Sequence, residues 1–151
     1  MEMRSRTAAS PEIREFAQRL VAYEAAGDSP AGADLPAEVR VAEKLRRPLS
    51  RLAGVNGFRM LLVRALTLAK AQVPGLSPLQ VKPDGSLEGL SDLGSGAEAT
   101  DAGVVLIAEM LGLLAAFVGE AFTRSLVLDV WPDFPVFDTE LWRKSDHDPA
   151  R

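Results

Sequence analysis

The sequence predicts a mostly α-helical fold: a compact bundle of four or five helices, with an apolar C-terminal helix at its centre and one small β-hairpin. Three observations carry that expectation. Apolar residues recur at helical spacing through most of the first 73 residues, Pro83-Asp84-Gly85 sits between two short alternating runs, and Ala102 to Gly119 is apolar on nearly every side.

Ser10-Pro11-Glu12 reads as a helix start, a capping hydroxyl followed by proline at the first helical position. Ile13, Phe16, Ala17, Leu20, Val21 and Tyr23 then fall on one face, with Arg14, Glu15, Gln18 and Arg19 opposite, and the helix is expected to stop near Gly27. Residues 27–35 are a loop by composition. A second helix is expected from Pro36, with Val41, Leu45, Leu49 and Leu52 as its stripe and Gly54 as its terminator. Pro48 lies inside that stripe and predicts a kink, since it removes a backbone donor and disfavours helical geometry at Arg47. Asn56 is then placed to cap a third helix over 57–73, with Phe58, Leu61, Leu62, Ala65, Leu66, Leu68, Ala69 and Val73 on a wide apolar face.

Pro74-Gly75 ends that helix. Leu79–Lys82 and Ser86–Leu90 flank Pro83-Asp84-Gly85, where proline presets φ, aspartate bonds its own backbone and glycine accepts a positive φ. Residues 91–100 read as a second loop. The last helix is expected as one element from Asp101 to Val130, ended by Trp131-Pro132. Three parts follow: a flexible N-terminus over 1–9, a single helical domain over 10–133, and an acidic C-terminal tail over 134–151 that carries Phe134, Phe137 and Trp142.

The composition narrows the function. At 151 residues, 47% hydrophobic and 25% charged, the chain is one domain's worth of ordinary globular protein, not a disordered or fibrous one. The absence of cysteine excludes disulfides, thiolate zinc sites and cysteine nucleophiles, and His147, the single histidine, excludes a His–His metal pair. Met1–Thr7 has no apolar stretch after its charges, so no secretory signal is read there and the expected location is cytoplasmic.

The charge is uneven. Residues 1–72 carry 12 Lys and Arg against 8 Asp and Glu, and residues 73–151 carry 5 against 13. Arg40, Lys44, Arg47 and Arg51 recur at helical spacing as a basic ridge. Such a ridge is the footprint of phosphate binding, but it lacks interleaved aromatics in an acidic chain of net charge −4. The ridge is therefore expected to dock the acidic half, within a subunit or across a dimer, and nucleic acid is the weaker reading.

The last helix carries the leading functional expectation. Ala108, Gly112, Ala115 and Gly119 form a stripe of small residues, and Leu111, Leu114, Phe117 and Phe122 supply bulk as hot spots of an interface. An all-round apolar helix is hard to wrap with three partners and a hairpin, which predicts a homodimer through residues 101–130. The chain is accordingly read as a non-catalytic protein–protein interaction module, an adaptor or regulatory subunit, with no metal and no cofactor.

The competing readings are weaker. The stretch between Asp101 and Glu120 barely reaches spanning length and has Glu109 near its middle, which argues for a buried helix over a membrane-inserting one. Glu109 and Glu120, eleven apart, share a face of a continuous helix, and a small ligand-binding or catalytic pocket near Glu109 is a further reading. No third ligand joins the pair, and Arg124 lies one turn beyond Glu120 as an ion-pair partner. Asp129, Asp133, Asp138, Glu140 and His147 match no calcium loop, and Gly94-Ser95-Gly96 is not followed by the Gly-Lys-Ser/Thr of a phosphate cradle.

Three runs, RLAGVNGFRMLLVRALTLA (51–69), VKPDGSLEGL (81–90) and LGLLAAFVGEAFTRSLVLDVWPD (111–133), resemble a group of small bacterial helical proteins with no assigned function. The resemblance covers roughly residues 15–133 and implies a bacterial cytoplasmic protein and one intact domain. It carries no activity, cofactor or site residue.

Overall fold

The first helix, α1 (Pro11–Ala26), starts as its sequence requires: the Ile13 amide donates to Ser10 Oγ at 3.1 Å, with Pro11 in the first turn. Ile13, Phe16, Ala17, Leu20 and Val21 are buried, Tyr23 is half-buried, and the helix closes at Gly27. In a computed structural model the chain is described over residues 9–27, 37–89 and 97–134, with backbone alone over 97–100. The expected N-terminal segment before Ala9, the loop at 28–36 and the tail beyond Phe134 lie outside the described residues.

The next element, α2 (Ala37–Gln72), contains both helices expected between Pro36 and Val73. Pro48 causes no departure from helical backbone angles; the break comes at Gly54, at φ 83° and ψ 162°. That region is open essentially to glycine alone, and it redirects the chain within one residue. The following arm therefore resumes at Val55, and Asn56 lies inside the helix instead of capping it. Val41, Leu45 and Leu49 are buried as their stripe predicts, whereas Leu52, on the turn before the break, is exposed. Beyond the break Phe58, Leu62, Ala65, Leu66 and Ala69 enter the core.

A single 3₁₀ turn (Pro74–Leu76) leads into the hairpin of β1 (Gln80–Val81) and β2 (Leu87–Glu88), antiparallel with Val81 opposite Leu87. The Gly85 amide donates to the Lys82 carbonyl at 2.8 Å, the Lys82 amide to Ser86 at 2.7 Å, and Gly85 takes φ 91°. These are the marks of a type I turn closed by a glycine bulge. The hairpin lies on α2: a Cβ at Gly85 would stand 3.2 Å from the Phe58 ring, and Arg46 donates to the Asp84 carbonyl at 3.0 Å.

The C-terminal third corrects two expectations. Helix α3 (Ala97–Val118) begins inside the stretch read as a loop, and Gly119, at φ 94° and ψ 156°, divides the expected single helix into α3 and α4 (Glu120–Val130). Glu109 and Glu120 thus sit on separate helices, and their eleven-residue spacing does not align them. Every residue from Ala102 to Leu114 is buried, which makes α3 the centre of the fold, with α1, α2 and α4 packed around it. Trp131 and Phe134 fold back after α4, and Phe134 meets the rings of Phe16 and Tyr23 edge-on, both at 5.4 Å. The architecture is a mostly α bundle with one small hairpin.

A Cβ at Gly54 or at Gly119 meets no atom within 4 Å, so any cost of filling those positions lies in the backbone angles. Gly54→Ala and Gly119→Ala are each expected to lower the unfolding free energy by roughly 1–3 kcal/mol in denaturant titrations followed by circular dichroism. An unchanged midpoint in both would show that the two breaks relax without glycine.

Candidate functional site

Apolar surface gathers at the end of the bundle where both glycine breaks lie. Among the described residues the large hydrophobic side chains left exposed are Leu52, Val55, Met60 and Val63 on α2, with Phe117, Val118 and Phe122 at the α3–α4 junction. Phe117 is 74% exposed and Met60 66%, far outside what core packing leaves behind. Between the two helices runs an open groove of about 440 Å³. Leu49, Leu52, Phe58 and Leu61 form its α2 wall, and Leu113, Leu114, Phe117 and Val118 its α3 wall.

Local sequence explains this groove. The break at Gly54 changes the course of α2, and a Cβ at Gly57 would stand 2.6 Å from the Ala53 Cβ, so the turn after the break admits only glycine at that position. Ala53 and Gly57 line the groove and keep it open. Arg64 is the one charged residue of the lining. It is exposed and has no hydrogen-bond or ion-pair partner among the described residues.

The residues expected at a self-association seam divide into two sets. Ala108, Leu111, Gly112 and Leu114 are buried under the chain's own helices, and Ala115 is half-buried. The small-residue stripe therefore packs within the subunit through most of its length. Phe117, Gly119 and Phe122 are exposed at the apolar end. A Gly112→Leu variant would strike the core and not an outer surface.

The basic ridge divides too. Arg40 Nε donates to Glu24 Oε2 at 2.9 Å, its terminal nitrogen donates to the Glu24 carbonyl at 3.1 Å, and Lys44 Nζ donates to Glu24 Oε1 at 3.0 Å. Trp131 Nε1 completes the set, donating to Glu24 Oε1 at 2.9 Å. Burial by itself raises the pKa of this carboxyl, but the bonds from Trp131, Lys44 and Arg40 outweigh it and hold the group below its ordinary value of 4.5. Arg47 and Arg51 remain exposed beside a shallow recess that Asp129 also lines. The acidic half thus reaches the ridge at Asp129, while the ion pairs of Arg40 and Lys44 go to Glu24, within the basic half.

Glu24 escaped sequence reasoning, although a signal existed: it follows Leu20 and Val21 on the buried face of α1, where a carboxylate requires partners. Glu109 is fully buried in α3 and does not line the groove; Gln72 Nε2 donates to its Oε2 at 2.6 Å, and Arg14 donates to Gln72 Oε1 at 2.7 Å. Glu120 is half-buried in the first turn of α4. Among the described residues no three His, Cys, Asp or Glu side chains converge as metal ligands do. Phe137, Trp142, Asp138, Glu140, His147 and Gly94–Gly96 lie outside the described residues.

Among the described residues two helices are long and apolar enough to cross a membrane, Ala37–Gln72 and Asp101–Val118; the stretch in the second is 72% buried inside the fold, as a core helix is. No protein-family profile, curated protein or solved structure matches the chain.

The Glu24 cluster has a pH consequence. Its folded-state pKa is depressed, so its contribution is complete above the unfolded value and is lost as pH falls through the folded one. Glu24→Gln is expected to cost on the order of 2–3 kcal/mol near pH 7. In denaturant melts the gap from wild type should close as the pH drops below about 4.5. A gap independent of pH would show that the charge on Glu24 contributes nothing.

Proposed function

We propose that this chain is a non-catalytic, cytoplasmic protein–protein interaction module that forms a homodimer through the apolar end of the 101–130 segment. The observation that carries the reading is the exposure of large hydrophobics on α2 and at the α3–α4 junction, four of which, Leu52, Met60, Phe117 and Val118, meet along one groove. Val55, Val63 and Phe122 are exposed as well and lie outside the groove lining. A two-fold copy lays the α2 face of one chain against the α4 face of the other, and removes both from water in a closed assembly. Burial of such side chains supplies about 25 cal/mol per Å² of apolar area. The seam so proposed includes Phe117, Gly119 and Phe122 from the original set, joined by Leu52, Val55, Met60 and Val63.

Light scattering coupled to size exclusion at tens of micromolar tests this reading. Wild type is expected at twice the chain mass and Phe122→Glu at the chain mass, with an unchanged helical spectrum because Phe122 lies outside the core. A monomeric wild type, or a Phe122→Glu variant that stays dimeric, overturns it.

A further inference from the structure

The groove between α2 and α3 is a recess, and its shape and single charge narrow what fits it. Its volume of about 440 Å³ lies within the roughly 300–1,000 Å³ range of small-molecule sites. A recess of that size takes an alkyl chain whole, whereas a helix, about 10–12 Å across, would insert only a few of its side chains. A bilayer is met by a convex apolar face, not by a slot between two helices. The walls are apolar throughout, and Arg64 is the one charged residue among them. A guanidinium with no partner among the described residues presents a two-pronged donor set that matches a carboxylate. Ala53 and Gly57, the smallest lining residues, hold the space open where any larger side chain would fill it.

We propose that this groove binds a free, single-chain carboxylate amphiphile of the fatty-acid class, its chain lying between α2 and α3 and its carboxylate on Arg64. The site is built by one chain alone, although Leu52, Met60 and Phe117 line it and also border the proposed seam, so it is tested in the monomeric variant as well.

Displacement of a dansyl-labelled undecanoate, followed by fluorescence below the micellar range, tests the proposal with dodecanoate and dodecanol as competitors. Dodecanoate is expected to displace the probe with saturation at one per chain and to bind more tightly than the alcohol. Arg64→Gln should weaken dodecanoate by about tenfold and leave dodecanol unchanged, as the loss of one charge-assisted pair requires. Ala53→Leu, an exposed substitution that fills the groove, should weaken both. Saturable dodecanoate binding is expected to persist in monomeric Phe122→Glu, whose side chain lies outside the groove, so binding and self-association fail separately. The proposal is overturned if neither competitor displaces the probe, if acid and alcohol bind equally, or if Arg64→Gln or Ala53→Leu changes nothing. Loss of the site in Phe122→Glu, or association with phosphatidylglycerol vesicles alone, overturns it as well.

Discussion

The fold depends on one constraint: a helix that is apolar on every side must be covered on every side. From Ala102 to Leu114 nothing in α3 faces water. Each fully buried Leu, Ile or Met there is worth about 1.5–3 kcal/mol over its exposed state. Helix α1, the two arms of α2 and α4 each contribute a stripe to that cover. The cover gives out after Leu114, and Phe117 and Val118 emerge beside Leu52 and Met60. The apolar end of the bundle is thus the place where, among the described residues, the cover of α3 ends, and the groove runs there between α3 and α2.

Two glutamates lie inside this apolar body, and each draws distant segments together. A buried polar group without a partner costs several kcal/mol, so Glu24 and Glu109 need partners wherever the helices put them. Glu24 obtains Arg40, Lys44 and Trp131, which joins α1 to the start of α2 and to the turn after α4. Glu109 obtains Gln72, whose own oxygen is held by Arg14 on α1. Apolar packing tolerates small rotations of one helix on another, whereas these bonds hold only in one arrangement. They select the particular bundle among those the hydrophobic pattern permits.

Much of this was legible in the sequence, and where it was not the reason is local. Ser10-Pro11 and Pro83-Asp84-Gly85 specify their cap and turn by chemistry within a few residues, and the structure follows them. Pro48 and Gly54 both signal interruption, and spacing cannot rank them: the helix absorbs the lost donor of Pro48, while Gly54 adopts angles that few other residues reach. The same holds for Gly119, which reads as one more small residue of a stripe until its backbone is known. The candidate site was half visible, since Phe117 and Phe122 lie in the segment read as a seam, yet Leu52 reads as part of its helix's buried stripe, and Met60 and Val63 lie off the apolar face expected over 57–73.

By itself the sequence determined the helical class, the apolar centre and the hairpin, because periodicity and turn chemistry act over one or two turns of chain. Only the tertiary structure decided which apolar residues were left over. Exposure at Leu52 or Phe117 is a property of what lies across from them, set by where the covering helices end. The same is true of the cations: Arg40 and Lys44 are a ridge when read along α2, and become the partners of a buried carboxylate once α1 is laid beside them. A residue's role here follows from its cover, and cover is a relation between segments far apart in the chain.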